Sequence, residues 1–178
     1  MKLTSVIKRI DNLGRIVLPK DVRKKLKIKE NDELEIIIGD DDSIILRKYS
    51  AIYEYESECN IILKILENLV NGIVAITDNS NIRICGKKEN QKYIGLNLSK
   101  RYINILSERK IFNEKIMPSF NIVDDMDLYA KAIVPIISDS VVTGSIAIFS
   151  EDKKLILREK DIELLKFASS VLSKKMRN

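Results

Sequence analysis

The sequence predicts an α+β protein with two domains: a small strand-rich domain over residues 1–50 and a larger α/β domain over residues 51–178. Two observations predict the small domain, namely short β-branched runs separated by turn residues and a net charge that changes sign within this segment. A third observation marks the start of the large domain, because apolar residues recur at spacings of three and four directly after residue 50. We expect that stripe to form a first helix over residues 51–71 that joins the two domains.

Positive charge is concentrated at the N-terminus. The whole chain of 178 residues has 31 Lys and Arg against 26 Asp and Glu, a net charge of +5 that indicates little by itself. Residues 1–29 contain ten cations and two acids, whereas residues 30–48 contain two cations and seven acids. The remaining residues 49–178 have 19 cations and 17 acids and are nearly balanced. A positive field confined to one end indicates a polyanionic partner for that end.

The side chains that most often carry catalysis are scarce. The chain has no histidine, which removes the commonest general base and the commonest metal ligand. Cys59 and Cys85 stand alone in apolar patterns, so we expect buried free thiols rather than a disulfide or a metal site. We therefore expect no enzymatic activity, no cofactor and no metal. Because the chain lacks both a run of about 18 apolar residues and a signal-like N-terminus, we expect it in the cytoplasm and at no membrane.

A basic stretch surrounds a tight turn near the N-terminus. A β-branched run before the turn and another after it predict the two strands of a hairpin, over residues 6–10 and 16–18. The turn contains Asp11, whose side chain can accept a hydrogen bond from a nearby backbone amide, and Gly14, which can adopt a positive φ. A proline after the second strand is tolerated in a first helical turn, which predicts a short helix over residues 19–26. The stretch presents seven cations: Lys8, Arg9, Arg15, Lys20, Arg23, Lys24 and Lys25.

A second hairpin follows. Residues 31–33 form a polar turn, and the apolar runs over 34–38 and 44–49 predict two strands around the acidic loop 39–43. This loop lacks the ligand spacing and the closing glutamate of a calcium-binding loop, so we interpret it as a solvated hairpin tip. A unit of this size buries little apolar surface by itself. We therefore expect it to complete its core with a second copy of the chain.

This N-terminal pattern resembles the AbrB family of transition-state regulators. The resemblance is carried by the pattern D-x-L-G-R-I-V-x-P-K, which corresponds to Asp11, Leu13, Gly14, Arg15, Ile16, Val17, Pro19 and Lys20. It implies a swapped-hairpin AbrB-type β-barrel that binds double-stranded DNA as an interlaced homodimer. The DNA contacts it implies are Lys8, Arg9, Arg15, Arg23 and Lys24. Lysine at positions 8 and 24 departs from the arginine common in the family, which favours phosphate contact over bidentate base contact there.

The stripe after residue 50 predicts a helix of about 18 residues. Its members are Ile52, Tyr55, Cys59, Ile62, Leu66 and Leu69, and Ile61 and Ile65 widen the stripe. A narrow heptad stripe of this kind packs either against the helix of another subunit or against its own domain. The sequence leaves both interpretations open.

Strands and helices then alternate along the second domain. Two strands are predicted over residues 72–77 and 82–85, around a polar turn. A helical stretch follows over residues 97–109, and a mixed loop over residues 110–127. These patterns indicate a sheet with helices crossing it.

The chain closes with a long hairpin and a helix. The hairpin strands are predicted over residues 128–138 and 141–150, turning at residues 139–140, with Gly144 at a bulge in the second strand. The last helix is predicted over residues 157–176. Its buried side would contain Ile162, Leu165, Ala168 or Ser169, and Leu172.

This order of elements resembles a GAF domain, in which a sheet and crossing helices enclose a ligand pocket. The most similar part is the closing hairpin, residues 132–137 and 142–150. The resemblance implies a regulatory and oligomerisation domain; GAF domains in general take cyclic nucleotides, amino acids or tetrapyrroles. The sequence contains no recognisable motif for binding a nucleotide or attaching a chromophore, so the small-molecule ligand is unknown. The alternative to ligand binding is a purely structural role. Six loop residues either line a pocket or are solvated charges: Arg83, Lys87, Lys88, Arg101, Asp124 and Asp125.

Together these patterns predict a sequence-specific DNA-binding transcriptional regulator that acts as a dimer of dimers. By resemblance, its targets are genes of endospore formation and its location is the nucleoid of the forespore. One alternative is an antitoxin-type swapped-hairpin module that binds a protein partner and autoregulates its operon; the long folded region after residue 50 argues against it. Another is an enzyme-like GAF protein, against which the lack of histidine and of a nucleophile motif argues.

Overall fold

The computed structural model describes residues 6–26, 28, 30 and 34–177. The chain forms two compact units that divide between Tyr49 and Ser50. Each unit has its own sheet, two-stranded in the first unit and five-stranded in the second. The polar turn predicted over residues 31–33 lies outside the described residues. No helix in the described ranges has the length and apolar character needed to span a membrane.

The first unit contains one helix and one hairpin. Helix α1 (Lys20–Lys25) begins directly after Pro19. Strands β1 (Leu34–Ile38) and β2 (Ile44–Lys48) pair antiparallel around the acidic tip. At that tip the Gly39 amide donates to the Ser43 carbonyl at 2.9 Å, so the loop closes on its own backbone. The predicted short helix and second hairpin are confirmed.

The predicted first hairpin is wrong for the single chain. Residues 6–10 and 16–18 flank a turn, but neither segment belongs to a sheet. Only the turn itself is closed, by hydrogen bonds between Asp11 and Arg15 and between Gly14 and Asp11. β-branched residues favour a strand where a neighbouring strand supplies hydrogen-bond partners and packing. Among the described residues of one copy, these two segments find no such neighbour.

The second unit is built on an antiparallel sheet with the strand order β4-β3-β7-β6-β5. Four of the five strands confirm the predicted strands. The fifth, a short strand inside the predicted mixed loop, was not predicted. That strand is only two residues long and has no periodicity to reveal it. The strands are β3 (Ile73–Thr77), β4 (Ile82–Cys85), β5 (Phe112–Asn113), β6 (Tyr129–Ser138) and β7 (Val141–Ser150).

Helices cover both faces of this sheet. Alternate residues of β7 point to opposite sides, so that Ile146 and Ile148 belong to one apolar core and Ala147 and Phe149 to the other. Helices α3 and α5 pack on the first core, and α4 packs on the second. The helices are α2 (Ala51–Glu54), α3 (Glu56–Leu66), a 3₁₀ helix (Lys88–Tyr93), α4 (Lys100–Ser107) and α5 (Glu159–Lys175). Helix α4 is thus shorter than the predicted 97–109.

The helix predicted over residues 51–71 is interrupted and shorter. Tyr55 separates α2 from α3, and α3 ends at Leu66. The buried face also differs, since Leu63 is buried whereas Ile62 is only half-buried. The stripe therefore packs on its own sheet. Three of its predicted members remain exposed to solvent: Ile61, Ile65 and Leu69.

Both cysteines confirm the prediction of buried free thiols. Cys59 lies in the core under α3 and α5, and Cys85 lies in the core on the other face. Burial raises the pKa of each thiol to about 12. A thiol held neutral in this way is a poor nucleophile.

The long hairpin has the predicted turn and bulge. Asp139 and Ser140 both have positive φ, as a two-residue turn between twisted strands requires. The pairing of β6 with β7 shifts register between Ile136 and Ile137, which leaves one extra residue beside Gly144. A Cβ at Gly144 would overlap the carbonyl oxygen of Thr77 on the neighbouring strand. Glycine is needed there because two backbones approach closely.

The outer edge of β6 is closed by side chains of α5. The short strand β5 pairs only with Ala132 and Ile133. Beyond that point, the Ser169 hydroxyl donates to the Pro135 carbonyl at 2.6 Å, and the Ile137 amide donates to the Ser173 hydroxyl at 3.1 Å. Two serines one helical turn apart thus take the place of a further strand.

A buried lysine connects three parts of the second unit. Lys131 on β6 is fully buried, and its ammonium group donates to the Glu114 carboxylate at 2.8 Å. It also donates to the carbonyls of Lys153 and Leu155, at 2.8 and 2.7 Å. All three ammonium protons therefore have acceptors, which offsets the cost of burying the charge.

We predict that Lys131→Met destabilises the protein by about 3 kcal/mol, because it leaves a carboxylate and two carbonyls buried without their donor. The measurement is the midpoint of chemical unfolding of the full chain, followed by near-UV signals of the second unit. The double variant Lys131→Met with Glu114→Gln should recover part of the loss. A midpoint equal to that of the unmodified protein would show that water replaces the ammonium group.

Candidate nucleic-acid interface

The turn in the basic stretch is held together by one aspartate. One carboxylate oxygen of Asp11 accepts the amides of Leu13 and Arg15, at 2.9 and 2.8 Å. The other oxygen accepts Nε of the Arg15 side chain at 2.8 Å. Gly14 has a φ of +75°, a conformation that few other residues adopt without strain. The carboxylate therefore fixes both the turn and the arginine that follows it.

These hydrogen bonds change the titration of the aspartate. The Arg15 amide, followed by the Arg15 side chain, holds the pKa of Asp11 below its ordinary value. The carboxylate consequently stays ionised at neutral pH and continues to orient Arg15. Since only Nε of Arg15 is used in this contact, the outer guanidinium N–H groups can bind a further anion.

Helix α1 presents a second group of cations. It is closed at its start by the Arg23 amide donating to the Pro19 carbonyl at 2.9 Å, and at its end by the Ile28 amide donating to the Arg23 carbonyl at 2.8 Å. Its last turn contains Arg23, Lys24 and Lys25, which favour the negative end of the helix dipole. The side chain of Val22 is half-buried, whereas these cations are exposed.

The five predicted DNA-contacting residues are all exposed. Lys8 and Arg9 precede the turn, Arg15 follows it, and Arg23 and Lys24 lie on α1. Of these five, Arg15 has its geometry fixed by a side-chain ion pair with Asp11. The sequence identified Asp11 as a turn residue, but this ion pair was not predicted. The four-residue spacing from aspartate to arginine across a glycine is the signal that could have revealed it.

The charged loop residues of the second unit do not converge on a pocket. Arg83 donates to Asp78 and to the Tyr53 hydroxyl, and its guanidinium lies 4.8 Å from the Tyr53 ring centre. Arg101 donates to the Pro118 carbonyl and lies over the Phe120 ring. Arg83 is thus half-buried in structural contacts, whereas Arg101 makes its contacts while remaining exposed to solvent. The other four residues are exposed: Lys87, Lys88, Asp124 and Asp125.

Comparison with known proteins covers nearly the whole chain. Residues 60–177 match the family model of the stage V sporulation protein T C-terminal transcription factor, and residues 7–53 match the model of the MazE antitoxin that recognises a toxin. Stage V sporulation protein T of Bacillus subtilis is 30% identical over 157 residues, which cover 87% of this chain and 88% of that protein. The chain belongs to the stage V sporulation protein T family.

Two shorter relatives match the first unit of this stage V sporulation protein T family member. The transition state regulatory protein AbrB of Bacillus subtilis is 49% identical over 49 residues, which cover 28% of this chain and 50% of AbrB. The putative transition state regulator Abh of the same organism is 45% identical over 49 residues, which cover 28% of this chain and 52% of Abh. The family comparison confirms an AbrB-type first unit followed by a sheet-rich second unit, in a family of transcription regulators.

We predict that Asp11 titrates below the ordinary aspartate range in the folded chain, since its hydrogen bonds favour the carboxylate. The contribution of this carboxylate to stability is present above the unfolded pKa and is lost as the pH falls through the lower folded pKa. Carboxyl ¹³C chemical shifts of the full chain, recorded as a function of pH, would measure the pKa of Asp11. In Arg15→Gln the pKa of Asp11 should rise part of the way towards its ordinary value, because the hydrogen bond from the backbone amide of residue 15 remains. A folded pKa at the ordinary value would contradict the geometry of the turn.

Proposed function

We propose that this protein is a sequence-specific DNA-binding transcription regulator that contacts DNA through Lys8, Arg9, Arg15, Arg23 and Lys24. The observation that carries the proposal is an exposed turn, closed by Asp11, and a helix after it, with cations on both, in a unit of AbrB type. Arg15, which is held by the carboxylate of Asp11, can present its outer N–H groups to a guanine edge or a phosphate. The lysines act as point charges towards phosphates.

The binding form is a homodimer with interlaced hairpins. In one copy of the chain, no described residue before Ser50 is buried. Large apolar side chains are correspondingly exposed, among them Ile7 at 91%, Val17 at 73% and Ile38 at 81%. A second copy would cover these side chains and pair residues 6–10 and 16–18 as strands of a swapped-hairpin barrel. The strand propensity of these segments supports that arrangement.

A dimer also doubles the positive field. Residues 1–29 have a net charge of +8, from ten cations and two acids. If one dimer neutralises about six phosphates, the logarithm of the affinity should fall with the logarithm of the salt concentration at a slope of about −5. This term attracts DNA of any sequence, and the arginines add discrimination between sequences.

The second unit joins two dimers into a tetramer. Helices α3 and α5 lie side by side and antiparallel, because Lys175 pairs with Glu58 at one end and Arg158 donates to the Leu69 carbonyl at the other. The outer surface of this helix pair has exposed apolar side chains: Ile61, Ile65, Leu69, Phe167 and Val171. We name this the helix-pair surface. Contact between two such surfaces would raise the effective concentration of the second DNA-binding dimer.

The second unit is proposed to be a GAF-type domain. An antiparallel five-stranded sheet with two helices on one face and α4 on the other supports this proposal. Its role would be assembly together with the sensing of a small molecule. By relationship to stage V sporulation protein T, the genes concerned would be those of endospore formation, in the forespore. Mapping of the protein along the genome during sporulation would test this.

The antitoxin alternative is supported by the match of residues 7–53 to the MazE family model. The same part of the chain is 49% identical to AbrB, and the larger second unit matches a transcription factor family. These two observations favour the transcription regulator. An antitoxin that autoregulates its operon would occupy only its own promoter in the genome map, whereas a regulator would occupy many promoters.

For the DNA contacts, we predict that Arg15→Ala and Arg23→Ala each weaken specific binding by about 1–3 kcal/mol. Electrophoretic or fluorescence titration with a selected operator would measure this change, and circular dichroism would show an intact fold, since both side chains are exposed. Arg15→Lys should keep the salt dependence while losing discrimination between operators. Arg177→Ala, at an exposed arginine of the second unit, is the matched control and should bind like the unmodified protein. Unmodified affinity in both alanine variants would refute the assignment.

For the assembly, we predict that Phe167→Asp reduces the mass in solution from four chains to two, because it places a charge on the helix-pair surface. Light scattering would measure the mass. Ile116→Asp is the matched control, because Ile116 is likewise a highly exposed large apolar residue but lies outside both helices. An unchanged mass in Phe167→Asp would show that this surface does not join the dimers.

A further inference from the structure

A groove lies on the outer side of β6, at the place where β5 ends and α5 crosses the edge of the sheet. Its volume is about 280 Å³. Helix α5 forms one wall, and the segment that follows α4 forms the other. It lies in the second unit alone and borders the first apolar core at Val134.

The floor and one wall of the groove are apolar. Ile111, which is 42% exposed, faces it from the segment after α4, and Pro135 and Ile137 of β6 form its floor. Two backbone groups of that floor are already bonded: the Pro135 carbonyl accepts the Ser169 hydroxyl, and the Ile137 amide donates to the Ser173 hydroxyl. An incoming strand would therefore find no edge to pair with, whereas a compact apolar group would find three side chains to contact.

The charged side chains that line the groove are both cationic. Arg109 approaches from the segment after α4 and Lys166 from α5, and no carboxylate lines the groove. Arg109 is held in place because one of its Nη atoms donates to the Ser140 carbonyl at 2.7 Å. The guanidinium keeps further N–H groups for an anion. Such a pair of cations beside apolar walls is complementary to an anion with an apolar body.

Hydroxyl groups complete the polar side. The Ser173 hydroxyl oxygen accepts the Ile137 amide, which leaves its proton available to donate. Ser170 lies one helical turn after Lys166 and also lines the groove. Both are neutral donors that suit a carboxylate.

We propose that this groove binds a small organic carboxylate with a compact apolar body. Its volume lies just below the range of about 300–1,000 Å³ for ligand pockets, which favours a short-chain acid over a nucleotide or a tetrapyrrole. The carboxylate lies between Arg109 and Lys166, and the apolar body contacts Ile111, Pro135 and Ile137. The inference rests on the second unit alone and does not depend on DNA binding.

The test uses the full chain with labelled isoleucine methyl groups, since Ile111 and Ile137 report from inside the groove. Methyl NMR spectra are recorded during titration with 3-methylbutanoate, with the neutral 3-methylbutanamide of the same shape, and with inorganic phosphate. We expect saturable shifts of the Ile111 and Ile137 methyls with the carboxylate only. Lys166→Gln and Arg109→Gln should each weaken the affinity about tenfold, in line with the loss of a charged hydrogen bond. Lys160→Gln, at an exposed lysine of the same helix outside the groove, should not change it.

Other results would overturn the proposal. Equal shifts with the amide would show that the groove does not select an anion, and equal shifts with phosphate would show that it does not use its apolar wall. No shift of either methyl at millimolar carboxylate would show that the groove is not a ligand site of this class. Unchanged affinity in Lys166→Gln, whose exposed side chain can be replaced without unfolding, would remove the assigned anion contact.

Discussion

None of the described residues of the first unit is fully buried, and this lack of a core is the constraint on which the proposed function depends. Its described isoleucines, valines and leucines are at most half-buried in one copy of the chain. Apolar area that stays in water contributes nothing to stability. In the proposed dimer a second copy of the chain supplies the missing contacts, so that folding, dimer formation and the assembly of a DNA-binding surface would become one equilibrium. Such an equilibrium depends on protein concentration, and any DNA that binds only the dimer stabilises it further.

The second unit has the opposite character. Its sheet is covered on both faces, its cysteines are buried, and even its buried lysine has three acceptors. A self-sufficient domain can present apolar side chains on one outer surface without losing its fold. The helix-pair surface is of this kind, and its residues are separate from those that hold α3 and α5 on the sheet. In the proposed assembly, self-association and folding would therefore be separable in this unit, whereas in the first unit they would not.

The sequence predicted the features that depend on local pattern. The strands β6 and β7, their turn at Asp139 and Ser140, and the bulge beside Gly144 all follow from alternation and from residues that tolerate special φ angles. The turn at Asp11 and Gly14 and the helix after Pro19 follow in the same way. The five cationic positions of the candidate site come from the family resemblance and stay a prediction, to which the structure adds the ion pair that orients Arg15.

Features that depend on distant partners were not predicted. The break at Tyr55 and the burial of Leu63 in place of Ile62 are set by the sheet against which α3 packs, and heptad spacing contains no information on that sheet. Lys131 looks like a surface residue until Glu114 and the carbonyls of residues 153 and 155 are placed around it. In the first unit, residues 6–10 and 16–18 have the composition of strands but pair with no other part of the chain that the structure describes. Pattern alone cannot distinguish a strand partner in the same molecule from one in another molecule.

The serine contacts between α5 and β6 have a consequence for how the protein behaves when crowded. A strand edge with free amides and carbonyls acts as a template for amyloid-like growth, and many proteins protect such edges with charges or prolines. Here Pro135 has no amide hydrogen and its carbonyl accepts the Ser169 hydroxyl, while the Ile137 amide donates to the Ser173 hydroxyl. Helix α5 thus shields the only long flank of β6 that β5 leaves open along the described residues. The second unit can accordingly expose apolar helix surfaces for self-association while this edge of its sheet is closed to an incoming strand.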